Sequence, residues 1–161
     1  MKPIDSLQPD STKADQPVND ILHNIQSQIN PYSESAYLDT LVLLAKITGK
    51  TKAEILTQRH LELSASQKLE LEESLEKIQQ GLPLPYVLGY WEFFQNKFKI
   101  SPEVLIPRPE TEGLVERALE WLKANPEKRT CLELGTGSGC IAISLAINLP
   151  DLRITATDVQ D

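Results

Sequence analysis

The 161-residue sequence is poor in the residues that build metal centres and redox pairs. Two cysteines, Cys131 and Cys140, and two histidines, His23 and His60, are too few and too scattered for a zinc cluster. The cysteines lack C-x-x-C spacing and lie in apolar runs, so buried, inert thiols are expected. Long apolar runs are missing too. The longest is Leu41 to Ala45, whereas a membrane-spanning helix needs about 20 apolar residues. The N-terminal MKPIDSLQPDSTKADQP has no apolar stretch after its lysine, as a secretory signal requires. Nor is there a basic surplus: 16 Lys and Arg face 23 Asp and Glu, a formal net charge of −7. That balance counts against non-specific binding to nucleic acid or an anionic membrane. These absences predict a cytoplasmic, reduced protein with no metal site. What is present, 40% hydrophobic and 24% charged residues, is ordinary globular composition. The length allows one domain, or a small one and part of another.

Residues 1–18, with Pro3, Pro9 and Pro17 and little apolar content, read as a flexible tail. Residues 19–82 read as a small helical bundle. Ile21, Leu22, Ile25 and Ile29 share one face, and Leu38, Leu41, Val42 and Ala45 another that ends near Gly49. Thr51-Lys-Ala-Glu54 has capping-box spacing. Leu71, Leu75 and Ile78 line a longer helix that stops at Gly81 and Pro83, and its Glu-rich stretch at 70–76 reads as a solvated face. Over 83–108 the prolines exclude a continuous helix, and Glu92 to Ile100 reads as a linking β-hairpin around Gln95-Asn96. Its aromatics, Trp91, Phe93, Phe94 and Phe98, are better suited to core packing than to stacking on bases.

From 109 to 161 the chain alternates. Leu114, Val115, Ala118, Leu119 and Leu122 form a helix face that ends near Asn125. Thr130 to Leu134 fits a buried strand, Gly135 to Gly139 a turn, Ile141 to Ile147 a helix, and Arg153 to Thr157 a second strand. Helix, strand, glycine loop, helix, strand is the opening of a doubly wound α/β sheet. Two strands alone cannot complete one.

The loop itself carries the chemistry. In Leu134-Gly-Thr-Gly-Ser-Gly-Cys140, Gly135 permits a tight turn, Gly137 lets a ligand approach the backbone, and Gly139 lets the next helix start close to the strand. The dinucleotide fingerprint would want glycine or alanine where Cys140 stands, which weakens a pyrophosphate-binding reading. Glu133 lies two positions before the first glycine, and Asp158 lies 19 positions after the third. An acid at the second strand's end suits ribose hydroxyls, and an acid beside the loop favours a positively charged ligand. S-adenosylmethionine, with an ammonium and a sulfonium but no phosphate, meets both demands.

Val104-Leu-Ile-Pro-Arg-Pro-Glu-Thr-Glu112, followed by Cys131-Leu-Glu-Leu-Gly-Thr-Gly-Ser-Gly-Cys-Ile-Ala-Ile143, closely resembles the HemK/PrmC family of release factor glutamine methyltransferases. Pro85-Tyr-Val-Leu-Gly-Tyr-Trp-Glu-Phe93 matches the family's hairpin region. The resemblance runs from about residue 20 to the end. It implies a helical substrate-docking domain, a hairpin, and a class I, Rossmann-like methyltransferase domain with S-adenosylmethionine as donor. The acceptor it implies is the glutamine of the GGQ motif in peptide chain release factors. By position, Gly135, Thr136, Gly137, Ser138 and Gly139 would cradle the methionine part, Asp158 would hold the ribose, and Glu133 would help place the amino group. Arg108, Thr111 and Glu112 would lie near the substrate. Their structural alternative is a turn fixed by Pro107 and Pro109, with Thr111 or Glu112 supporting a helix start.

The family's Asn-Pro-Pro-Tyr motif should follow a fourth strand, beyond Asp161, so no catalytic residue is expected in this chain. Asn30-Pro31-Tyr32 lacks the second proline and reads as a helix–helix turn. The expectation is therefore a truncated methyltransferase, inactive alone. A class I methyltransferase for another acceptor, a non-catalytic release-factor docking fragment and a nicotinamide-dependent enzyme remain as alternatives.

Overall fold

The computed structural model describes residues 17–159, which divide into two compact units after Gly81. The expected tail lies outside the described residues apart from its last two positions. There the expectation is corrected: Val18 is already the buried first residue of a helix, because its side chain has a core to enter.

The first unit contains helices α1 (Val18–Ile29), α2 (Ala36–Thr48), α3 (Lys52–Thr57) and α4 (Ala65–Gln79). Along α1, Val18, Leu22, Ile25 and Ile29 are buried at helical spacing, while Ile21 is half-buried at the margin. Asn30–Tyr32 forms a 3-10 turn into α2, with Pro31 inside it where no backbone donor is needed. The inward face of α2 differs from the expected one. Ala36, Thr40, Leu41, Leu43, Leu44 and Ile47 are buried, whereas Leu38 is 57% exposed. The run Leu41 to Ala45 is apolar on every side, so periodicity alone cannot select its inner face; packing against α1, α3 and α4 does. The buried Thr40 hydroxyl donates to the Ala36 carbonyl at 2.8 Å and is satisfied.

Both short-range caps form as their sequences dictate. Thr51 and Glu54 exchange hydrogen bonds at the start of α3, and the Thr51 N–H and hydroxyl hold the Glu54 carboxyl below its usual pKa. Ser64 and Gln67 do the same for α4, and the Gln67 side-chain amide also donates to the Ile47 carbonyl at 3.0 Å. One residue thereby caps its own helix and ties it to the end of α2. Glu70, Glu72, Glu73 and Glu76 all face solvent.

The second unit begins with a five-residue helix α5 (Leu84–Leu88), which tolerates Pro85 in its first turn. The hairpin follows as β1 (Tyr90–Phe93) and β2 (Asn96–Lys99), paired antiparallel. Its turn is Phe94-Gln95, one position earlier than the sequence suggests. Both residues have positive φ, 46° and 62°, as a two-residue turn matching strand twist requires. Neither is the glycine or asparagine such turns favour, and left-handed backbone costs roughly 1–2 kcal/mol per ordinary residue. One local and one long-range hydrogen bond offset that strain. The Asn96 side-chain amide donates to the Phe94 carbonyl at 2.7 Å, and the Phe94 N–H donates to Glu112 Oε1 at 2.8 Å. Phe93 and Phe98 meet edge-to-face at 6.1 Å, and the Lys97 ammonium sits 4.3 Å from the Tyr90 ring centre.

Phe93 and Phe98 enter a core with Val115, Leu119 and Leu122 of α6 (Glu112–Ala124) and Leu145 of α7 (Cys140–Asn148). The parallel pair β3 (Thr130–Leu134) and β4 (Arg153–Thr157) completes the unit, registered from Thr130–Arg153 to Leu134–Thr157. Cys131 and Ile154 pack on the core. The expectation of a buried strand at 130–134 fails on the other face, where Leu132 and Leu134 are 62% and 76% exposed. The helices cover one face of this sheet, and alternate strand residues point to the other.

Arg129, which sequence inspection does not single out, ties the base of this sheet together. Its Nη1 donates to the carbonyls of Leu122, Asn125 and Lys128, while Nε pairs with Asp151. The guanidinium thus caps the carbonyl end of α6 and holds the approach to β4. Asp151 is largely exposed, so the ion pair alone is worth at most about 1 kcal/mol. Arg129→Ala is expected to lower unfolding free energy by about 1–3 kcal/mol in urea titrations, because the bonds to carbonyls are charge-assisted. Asp151→Ala should cost clearly less. Ser144 supplies a contrary case: its hydroxyl is buried in α7 with no hydrogen-bond partner. Ser144→Ala should therefore raise the urea midpoint, by up to about 1 kcal/mol in stability.

Candidate functional site

The glycine loop leaves the C-terminal end of β3 and enters α7. Gly135, Gly137 and Gly139 all have positive φ, at 72°, 53° and 74°. Left-handed backbone at every second residue makes a tight crook that ordinary side chains resist. The crook is anchored on β4: the N–H groups of Gly135 and Thr136 both donate to the Thr157 carbonyl, at 2.8 and 3.0 Å. The Gly139 N–H closes back on the Thr136 carbonyl at 2.8 Å.

The two expected acids both reach the loop. Glu133 Oε2 accepts from the Thr136 hydroxyl at 2.8 Å, and Asp158 Oδ2 accepts from the Gly137 N–H at 2.7 Å. Asp158 Oδ1 also accepts from the Val159 N–H. Strand pairing thus brings residues 133, 135–139 and 158 into one structure. The mouth is acidic, with Asp158 exposed and Glu133 half-buried. It suits a ligand that brings positive charge and hydroxyl donors.

The glycines differ in what they leave open. An added methyl carbon at Gly135 or Gly137 would meet nothing within 4 Å, so their backbone borders free space. At Gly139 it would come within 3.1 Å of Ile143 Cδ1. Close approach there involves the first turn of α7 rather than β3, which corrects the role expected of that glycine. Cys140, just beyond, is buried; burial raises its thiol pKa, the Glu133 charge adds to the effect, and the Ser138 side chain opposes it. Burial and the Glu133 charge both hold the thiol toward its protonated form, the less nucleophilic one.

Pro107-Arg-Pro-Glu-Thr-Glu112 lies at the entry to α6. Pro109–Thr111 forms a 3-10 turn leading into α6, and Arg108 is exposed. Thr111 occupies the helix-capping position without a side-chain capping bond. Glu112 receives the Phe94 N–H, a contact between positions 18 apart that no local signal announces.

The first unit has a groove of about 390 Å³ between α1 and α4, with Ile25, Leu71 and Leu75 among its lining residues. None of the residues expected to bind cofactor or substrate lines it. Among the described residues no group of three His, Cys, Asp or Glu is placed to hold a metal ion, and no helix is long and apolar enough to cross a membrane.

Comparison with known proteins gives a family match over residues 20–89, to the PrmC N-terminal domain. The chain is also similar to curated proteins named release factor glutamine methyltransferase. The Bacteroides thetaiotaomicron protein is 40% identical over 122 residues, 76% of this chain and 43% of that protein. The Coxiella burnetii protein is 37% identical over 141 residues, 88% of this chain and 50% of that protein. The Salmonella typhimurium protein is 40% identical over 139 residues, 85% and 48% respectively. The chain spans about half the length of the curated relatives it matches.

Gly137→Ala forces a side chain into left-handed backbone while leaving the space around it open. A loss of about 1–2 kcal/mol in stability is expected from that conformation alone, measured by urea unfolding. Faster amide exchange at Thr136 and Gly139 should accompany it.

Proposed function

We propose that this chain belongs to the PrmC family and supplies the first half of a release factor glutamine methyltransferase, a reading supported by the match over residues 20–89 and by the relatives' names. The second unit is then the opening of a class I, Rossmann-like methyltransferase domain, and the first unit a docking module for the release factor. The setting would be translation termination in the cytoplasm. The observation that carries the reading is the convergence of Glu133, the three left-handed glycines and Asp158 on one loop at the paired ends of β3 and β4.

The loop fits S-adenosylmethionine. Free space borders Gly135 and Gly137, two carboxylates face it, and no lysine or arginine lies within 130–152 to favour a phosphate. When bound, this cofactor supplies an electrophilic methyl group on a cationic sulfur. Gly135 to Gly139, with Thr136 and Ser138, would hold its methionine part by backbone and hydroxyl groups. Asp158 would accept from the ribose hydroxyls, and Glu133 would stabilise the ammonium. The acceptor is the side-chain amide nitrogen of the GGQ glutamine, a poor nucleophile because its lone pair is delocalised into the carbonyl. Hydrogen-bond acceptors for the amide N–H groups, which the family's Asn-Pro-Pro-Tyr motif provides, would localise that pair and aim it. These 161 residues do not contain the motif, and we assign them cofactor and partner binding rather than turnover.

The test has two arms. A chain extended with its natural downstream sequence should methylate a release factor at the GGQ glutamine, seen as a gain of one methyl mass, while this chain alone should not. Turnover by the purified 161-residue chain overturns the second half. Calorimetry on the extended chain should show binding of S-adenosylmethionine and none of a nicotinamide dinucleotide; the reverse result removes the assignment.

A further inference from the structure

We infer that Glu112 is a positioning residue: its carboxylate fixes the strained hairpin turn at Phe94 and thereby sets the Arg108–Thr111 segment, rather than contacting substrate itself. The activity arm of this inference rests on the methyltransferase reading above; its structural arm does not. Glu112 Oε1 accepts from the Phe94 N–H at 2.8 Å, in a half-buried setting. Phe94 is the first of two non-glycine residues with positive φ in that turn. Its ring packs against the core that holds Phe93, Phe98 and Val115, so the turn cannot relax without disturbing packed side chains.

The segment between turn and helix is anchored from both sides. The Tyr86 hydroxyl donates to the Val104 carbonyl at 2.8 Å. At the other end Glu112, in the first turn of α6, grips Phe94. Between those anchors run Leu105 to Thr111, whose only regular structure is the 3-10 turn at Pro109–Thr111. Pro107 and Pro109 restrict the backbone around Arg108. Such a segment takes its direction from its ends. Releasing Glu112 from Phe94 would loosen the first turn of α6 and move Arg108 and Thr111 with it, although neither side chain hydrogen-bonds to the Glu112 carboxylate. A negatively charged acceptor is well matched to this place, because a charge-assisted bond to a backbone N–H is stronger than a neutral one and holds a turn that its own residues disfavour.

Amide hydrogen exchange of the 161-residue chain by NMR tests the structural arm. Glu112→Ala should speed exchange at Phe94 by about tenfold or more, as expected for loss of one protecting bond. Val115 and Leu145 should keep their protection. Glu112→Gln retains an oxygen acceptor and should keep most of the protection, with its largest amide proton shift at Phe94. Adding Gln95→Gly, which removes strain from the turn, should restore part of what Glu112→Ala loses. Unchanged Phe94 exchange in Glu112→Ala overturns the inference. So does Glu112→Gln without its main shift at Phe94, a reading that stands even where the alanine variant does not fold.

In the extended chain, Glu112→Ala should lower kcat/KM for a release factor, and Glu112→Gln and the Glu112→Ala/Gln95→Gly pair should recover it. Loss in Glu112→Gln as deep as in Glu112→Ala, with no rescue by Gln95→Gly, would mean direct substrate contact and end the positioning assignment. A wild-type extended chain without methyltransferase activity would defeat the functional reading and leave the exchange result intact.

Discussion

The five-residue parallel ladder between β3 and β4 is the constraint on which the second unit's site depends. Parallel strands in register end at the same edge, so the loop after β3 and the acid after β4 emerge side by side. The Thr157 carbonyl, the last acceptor of the ladder, receives two N–H groups from the crook, and Asp158, the next residue, takes a third. A slip of one residue would turn every side chain of β4 to the opposite face. Ile154 would leave the core, and Asp158 would no longer meet Gly137. Packing against α6 and α7 therefore fixes the geometry of the site through the register of two short strands.

Two solutions to the same backbone problem stand close in sequence. The crook needs left-handed backbone at alternate positions and uses glycine at each. It is open to space at Gly135 and Gly137, so it carries no side chain where a ligand would come. The hairpin needs left-handed backbone at Phe94 and Gln95 and has no glycine there. Its turn is held from outside, by Asn96, by Glu112 and by the Phe94 ring against the core. The first arrangement keeps the loop free of bulk. The second couples the turn to the helix that starts at Glu112. Removing an external support from a strained turn costs more than removing it from a relaxed one, which is why Glu112 matters beyond the strength of its single bond.

Features written in neighbouring residues are legible in the sequence, and features that depend on distant partners are not. Thr130–Leu134 and Arg153–Thr157 appear as strands with the limits read from their apolar runs, and the Thr51–Glu54 capping box forms as its spacing implies. The inner face of α2 escapes because its middle is apolar all round. The exposure of Leu132 and Leu134 escapes because a run of apolar residues says what would favour burial, not what lies above the strand. The hairpin turn falls at Phe94-Gln95 because Glu112, far along the chain, supports a conformation that propensity disfavours. Arg129 escapes for the same reason: its three carbonyl partners are assembled by the fold. For the site, the loop and both acids follow from spacing, but their bonds to Thr136 and Gly137 do not.

Those bonds bear on how the acids can serve both loop and ligand. A carboxylate offers about four lone-pair sites over two oxygens. Glu133 uses one oxygen on the Thr136 hydroxyl, and Asp158 meets one N–H through each of its oxygens. On Glu133, one bond to the loop leaves acceptor capacity on the carboxylate. Under the proposed function, loop order and ligand binding would draw on different lone pairs of Glu133 and need not compete. A neutral side chain with a single acceptor oxygen could hold the loop or receive a ligand, but not both as well. The cost of gathering two negative charges at one mouth is offset by the backbone and hydroxyl donors already bound there. Added positive charge would lower that cost further, which is the electrostatic ground for the cationic ligand proposed above.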